Sequence, residues 1–207
     1  MNDFFKDGYD TIHKAGRAQL LQGDMTTFGG VTEAMKQELI VAIRPLTGVG
    51  TMYLLDELAA LESSNFSFFL ADRDFPIHVT VQVSIGGLAA VTVLEVDCVQ
   101  VKELTFNRLL LGSEGNILLA NEGVPREIAK WRGWASQVMT ECGGKPKPLP
   151  ILHSTLARIM GPKVPSLDAS TRLVALVEDW NKRLQTEPLR FVYSHTYVGT
   201  IYNLLTL

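Results

Sequence analysis

The sequence predicts an α+β fold, on three observations. Residues 77–85, IHVTVQVSI, alternate in the manner of a strand. Residues 125–144 and 166–185 carry apolar positions at helical spacing, with helix start and stop residues at their ends. The unit PIHVTV at 76–81 returns as ILHSTL at 151–156, so strands and helices fall into two similar halves.

Along the chain, residues 3–21 have helix-like spacing weakened by Gly8 and Gly16. GDMTTFGG at 23–30 is a break. Residues 31–46 read as a helix with Ala34, Leu39, Ile40 and Ile43 on one stripe, ended by Pro45. After the turn TGVG, residues 51–64 read as a second helix. NFSFFLA at 65–71 is strand-like, and Asp72, Arg73 and Asp74 make a turn before the strand 77–85. Residues 86–104 fit strand or helix. Residues 106–121 predict two short strands joined at Gly112–Gly115. In the helix 125–144, Pro125 suits the first turn and Gly143 and Gly144 the end. KPKPLP at 145–150 is a stiff connector to the strand 151–159. In the helix 166–185, Asp168 is the expected N-cap. Residues 191–205 predict two strands turning near Gly199.

The chain has 207 residues, enough for one substantial domain, and no linker divides it. A net charge of −3 excludes a general nucleic-acid coat, though not a site for one phosphate or one RNA end. The two cysteines, Cys98 and Cys142, form no zinc spacing and suit a reducing compartment. The acidic start is not a secretory signal, and no apolar run reaches the roughly 18 residues of a membrane span. The expectation is a soluble, cytoplasmic protein. Its oligomeric state is left open, with a monomer expected.

The repeated unit carries the chemistry. In a strand, residues two apart share a face, roughly 6–7 Å from each other. His78, Thr80, Gln82 and Ser84 therefore share one face in a regular strand, and Ile77, Val79, Val81, Val83 and Ile85 the other. His153 and Thr155 repeat the arrangement. If the two strands lie side by side near a pseudo-twofold, two imidazoles and two hydroxyls converge. Histidine titrates near neutrality, so such a pair can supply one base and one acid. Threonine hydroxyls can donate to phosphate oxygens. Hydrolysis of a phosphodiester needs that set, and no metal or other cofactor is required.

Two H-x-T units on strands, the second reading HSTLAR, resemble the 2H phosphoesterase superfamily. The TLAR ending resembles the RNA 2′,3′-cyclic phosphodiesterases, historically called 2′-5′ RNA ligases. The resemblance covers roughly residues 50–207, including the closing YVGTIYNLL. It implies a bilobal fold, with two antiparallel sheets around a central cleft, outer helices and a pseudo-twofold. It also implies a single domain in which 1–45 is an N-terminal helical extension and 46–207 the core. His78 and His153 would be the catalytic acid and base, and Thr80, Thr155 and Arg158 would bind the substrate phosphate. Five residues beyond His153, Arg158 points to the opposite face of a regular strand and reaches the cleft only across a bend. The implied activity is hydrolysis of a 2′,3′-cyclic phosphate at an RNA end or on a nucleotide. The alternatives are cleavage of linear 2′,5′ or 3′,5′ linkages, or non-catalytic binding of RNA ends or nucleotides.

Outside the repeat, His195 lacks the H-x-T pattern and reads as structural, and His13 as a surface residue. Tyr193, Tyr197 and Tyr202, like Trp131 and Trp134, read as packing. Lys145 and Lys147 read as a solvated loop that lies close enough to His153 to meet an RNA phosphate.

Overall fold

The computed structural model describes residues 3–94, 103–121 and 123–205, without the side chains of 3–7, 194 and 195. His195 as a side chain, Cys98 and residues 95–102 of the ambiguous stretch 86–104 thus lie outside the described residues.

The fold is α+β, with a large antiparallel sheet. Its strands are β1 (Glu38–Leu46), β2 (Phe68–Leu70), β3 (Val79–Ile85), β4 (Glu103–Phe106), β5 (Arg108–Leu111), β6 (Asn116–Asn121), β7 (Lys145–Pro146), β8 (Leu152–Ile159) and β9 (Leu189–Thr200). Among the described residues the main path runs β4-β9-β1-β3-β8-β6-β5, with β2 on β8 and β7 on β3. The centre of this path is narrow. β3 and β8 meet at one pair, Val79 with Ser154. Away from it, β2 pairs with 157–159 of β8 and β7 with 84–85 of β3. The expected two sheets are therefore two halves of one, β4-β9-β1-β3-β7 and β2-β8-β6-β5, joined between the two H-x-T strands.

Helices cover the two faces unequally. The main core lies on one face, where α3 (Val49–Ala59), α5 (Arg126–Glu141) and α6 (Leu167–Thr186) bring Leu54, Ile128, Trp131 and Val177 against Val41, Val79 and Leu156. On the other face, α1 (Asp3–Gln22) lays Tyr9 and Ile12 over Leu110, Leu118 and Ala120 of the second half. The short α7 (Ile201–Leu205) sets Leu204 on Ile40, Ala42 and Val83 of the first half. The strip over β3 and β8 between those two covers is the cleft. Among the described residues, no helix is long and apolar enough to cross a membrane.

Several sequence expectations are corrected. The helix expected over 31–46 is only α2 (Glu33–Lys36); residues 38–46 form β1, flanked by β3 and β9. The apolar run from Leu39 to Ile43 is buried on both faces, a pattern that a central strand shares with a buried helix. Pro45 sits at a register shift in β1, where a proline is tolerated within a sheet. Because β1 lies inside the sheet, the boundary expected at residue 45 does not separate an added segment from the core. The closing segment is one strand, β9, followed by α7, not two strands. Gly199 lies within β9 because the Tyr197 ring covers it: a Cβ there would stand 2.5 Å from the tyrosine oxygen. The Thr200 hydroxyl then accepts the Asn203 N–H and starts α7. The N-cap of α6 is Ser166, with Asp168 in the first turn. The connector 145–150 contributes β7.

Gly16 supports α1 rather than weakening it. A Cβ at that position would lie 2.1 Å from the Leu111 carbonyl oxygen, so glycine lets the helix approach β5. Among the described residues, a Cβ at Gly8 would meet nothing within 4 Å. Gly16→Ala is expected to destabilise by about 1–3 kcal/mol through overpacking, whereas Gly8→Ala should gain up to about 1 kcal/mol of helix propensity. Urea unfolding of the two variants checks the contrast; equal shifts would contradict it.

Candidate active site

The pair Val79–Ser154 sets the site. In antiparallel register it puts His78 across from Thr155, and Thr80 across from His153. The two H-x-T units are thus related by a pseudo-twofold through that pair. All four side chains line one cavity of about 410 Å³, together with Arg158. The structure therefore brings together all five residues singled out in the sequence.

Two β-bulges decide what else faces this cavity. Against β1, Ala42 pairs with Thr80 and Val41 with Gln82, so Val81 is the extra residue. Against β6, Leu118 pairs with Thr155 and Ile117 with Ala157, so Leu156 is the extra residue. Each bulge falls immediately after the threonine and reverses the alternation beyond it. This overturns the expectation that Gln82 and Ser84 share the face of His78. They turn to the helix side, where Gln82 donates to the Lys147 carbonyl (2.9 Å), and Val83 turns to the cavity. It also supplies the bend that Arg158 needs: the bulge at Leu156 turns the guanidinium onto the cleft face. Val83 and Arg158 occupy equivalent places in the two halves.

Both bulges are anchored. The Val81 carbonyl accepts from Arg132 Nε (2.8 Å), and the same guanidinium donates to the carbonyls of Leu149 (2.8 Å) and Ile151 (3.3 Å). The Leu156 carbonyl accepts the Ala71 N–H (2.8 Å). Both bulged side chains are fully buried in the main core.

The ends of the cavity differ. Beside Arg158 stand Asn116, its partner across the strands, with Glu114, Phe69 and Phe75. Phe69 and Phe75 stack at 4.9 Å, and the His78 ring lies edge-on to Phe75 at 6.1 Å. Beside Val83 stand Ile40, Leu149 and an ion pair, Lys147 with Glu38 at 2.5 Å. Met35, Ile201 and Leu205 overhang the opening. The sequence reading missed Asn116, Glu114 and the phenylalanines. Phe75, three residues before His78 at a turn, carried the only local signal. Lys147 belongs to the cavity and not to a solvated loop.

The histidines are held differently. His78 Nδ1 lies 3.0 Å from the Pro76 carbonyl, which can only accept, so that nitrogen carries the proton and Nε2 is left for the cavity. Among the described residues, nothing bonds His153 Nδ1, which is out of solvent contact. Burial lowers His78 to a pKa of about 4; the Pro76 bond opposes this, and Arg158 and Arg44 add to it. Burial likewise lowers His153 to about 4, helped by His78, Arg132 and Arg158. Burial also lowers Arg158, opposed by Glu114 and Glu38, and the guanidinium stays charged. Both imidazoles of the free protein are thus neutral at pH 7.

Between pH 6.5 and about 4 the unfolded chain binds protons that these two rings refuse in the fold. Stability is therefore full above pH 6.5 and falls as pH drops towards 4, by on the order of 3 kcal/mol for His78 alone. His13, also lowered by burial, acts in the same direction. The expected result is a thermal midpoint that declines over this range, with a shallower decline in His78→Gln. Equal slopes in the two proteins would contradict it.

Among the described residues, no group of three or more His, Cys, Asp or Glu is placed to hold a metal ion. No protein-family model and no curated protein matches the chain. Among solved structures it is similar to the ns2 PDE domain of MHV, at 12% identity with a TM-score of 0.43. It is also similar to Usb1 of Kluyveromyces marxianus, at 12% identity with a TM-score of 0.41. Each alignment covers 80% of this chain and 99% of the other. At these values both are likenesses of outline.

Proposed function

We propose that the protein is a phosphodiesterase that hydrolyses a 2′,3′-cyclic phosphate, at an RNA end or on a nucleotide, by metal-independent two-histidine catalysis. The observation that carries this reading is the Val79–Ser154 register, which gives one cavity two imidazoles, two threonine hydroxyls and Arg158. The resemblance of both H-x-T units to the 2H phosphoesterases points the same way.

The unequal ends set a direction. Phe69 and Phe75 offer aromatic faces to a nucleobase, and Asn116 and Glu114 offer hydrogen-bonding groups. With the nucleoside at that end, the leaving oxygen lies beside His78 and water enters beside His153. The Pro76 carbonyl favours protonated His78, and among the described residues His153 Nδ1 has no such partner, so His78 is the acid and His153 the base. An anionic phosphate between the rings raises their low pKa values, so that His78 takes up from solvent the proton that the free site lacks. His153 then takes a proton from water as the new O–P bond forms. The P–O3′ bond breaks, and His78 gives its proton to O3′. The product is a 2′-phosphate. Thr80, Thr155 and Arg158 hold the non-bridging oxygens as charge develops. Exchange with solvent resets both rings.

A second reading, cleavage of linear 2′,5′ or 3′,5′ linkages, draws on the Val83 end, where Lys147 could meet a group beyond the scissile phosphate. The experiment is hydrolysis of the four nucleoside 2′,3′-cyclic monophosphates and of 2′,5′- and 3′,5′-dinucleotides, in EDTA. The expected result is turnover of the cyclic substrates to 2′-phosphates. Turnover of the linear substrates alone would favour the second reading, and turnover of neither would leave only binding.

A further inference from the structure

Arg158 reaches the cavity without a carboxylate to hold it. Among the described residues, no hydrogen bond or ion pair fixes its guanidinium, and Glu114 and Glu38 act on it through their charge alone. Its contact is with a ring: the guanidinium carbon lies over the face of Phe28, 5.1 Å from the centroid. Phe28 is buried and does not itself line the cavity. It belongs to the segment 23–30, read in the sequence as a break. Two backbone bonds strap it to the end of β8. The Phe28 N–H donates to the Ile159 carbonyl (2.7 Å), and the Phe28 carbonyl accepts the Gly161 N–H (2.9 Å). Phe69, paired with Arg158 in the β2–β8 register, packs on the Phe28 ring at 5.2 Å. Phe69 in turn stacks on Phe75 at 4.9 Å, and Phe75 meets the His78 ring at 6.1 Å. A row of phenylalanine rings therefore runs from Arg158 to His78.

We propose that Phe28 is a positioning residue, whose ring face orients Arg158 for the reacting phosphate while leaving the guanidinium donors free to bind it. The inference rests on the reading above, in which Arg158 holds the non-bridging oxygens. A carboxylate could fix the same guanidinium, but it would occupy donors and cancel charge that the phosphate needs. A ring attracts the cation through its quadrupole and leaves the charge and the N–H groups for the substrate. The attraction strengthens with desolvation, and Arg158 is half-buried. The bulge at Leu156 decides the face of β8 from which Arg158 leaves, and Phe28 decides where on that face the guanidinium stands. Through Phe69 and Phe75 the same support reaches His78, so the group that binds the phosphate and the group that protonates the leaving oxygen are set against one another. Arg158 meets charge that grows in the transition state, so displacing it should lower kcat more than it raises KM.

The test is a pair of measurements on the hydrolysis of one nucleoside 2′,3′-cyclic monophosphate. In the first, Phe28→Leu is made in the wild-type protein and in Arg158→Gln. The expected loss of kcat/KM is about tenfold in the wild type, an ordinary yield for a partly desolvated cation–π contact. Where the arginine is gone, the loss should be less than about twofold. In the second, phenylalanines bearing one, two and three ring fluorines replace Phe28. The shape is nearly kept while each fluorine weakens the negative face of the ring, so this series decides the question if the leucine variant fails to fold. kcat should fall stepwise along it in the wild-type background and stay level in Arg158→Gln. A packing role would give equal losses in both backgrounds and no slope with fluorine, and either result overturns the inference alone. No turnover by the wild-type protein overturns the phosphodiesterase reading and the inference with it.

Discussion

Replacing either His78 or His153 by alanine is expected to lower kcat by about a thousandfold or more, within the range that a positioned acid or base contributes. The two rings would act on one phosphate in one step, so the double variant should fall little below either single variant. The fold should persist. Among the described residues, His153 Nδ1 has no bonded partner to orphan, and His78 leaves only the Pro76 carbonyl. Both side chains lie on the cleft face, away from the main core. Single-turnover rates and far-UV circular dichroism, measured on the same samples, check this. A single variant retaining a tenth of wild-type turnover would remove that histidine from the acid–base pair.

The second large effect is expected at a residue outside the site. Arg132 joins the Val81 bulge to the segment entering β8, by donating to the carbonyls of Val81, Leu149 and Ile151. Arg132→Met keeps much of the side-chain length and leaves those acceptors without their donor, at a cost of about 3 kcal/mol. The bulge phases Thr80, and the segment at Ile151 leads to His153. kcat/KM should therefore fall as well, by about tenfold, although Arg132 does not line the cleft. Arg132→Lys should recover only part of both losses, since an ammonium cannot reproduce the planar fork. Urea unfolding and steady-state kinetics on the two variants measure this. A loss below about 1 kcal/mol in the methionine variant would mean that the bulge does not depend on its anchor.

The site was legible in the sequence where its signal is local. A histidine and a threonine two apart on a strand must share a face, and the repeat at 151–156 marked the second copy. What the sequence hid is the pair of bulges. IHVTVQVSI alternates without a fault on paper, yet the extra residue at Val81 turns Gln82 and Ser84 to the helices. The same device at Leu156 brings Arg158 to the cleft face, against the parity of a regular strand. A bulge is set by the partner strand, and neither β1 nor β6 announces one. β1 itself was misread because a strand buried on both faces has no period to detect. The flanks of the cavity were equally hidden. Asn116 meets Arg158 only through the β6–β8 register, and Glu38 meets Lys147 only once β7 is laid on β3.

The central claim is that His78 and His153 serve one phosphate as an acid and a base, and the pH–rate profile tests it most directly. With both rings lowered to about 4 in the free protein, the singly protonated pair is most abundant on the acid side of neutrality. The account expects a bell-shaped kcat/KM with its maximum there, and a kcat profile displaced to higher pH by the bound anion. Profiles that stay flat from below pH 4 up to pH 8, or that show no acid limb when measured below pH 4, would contradict it.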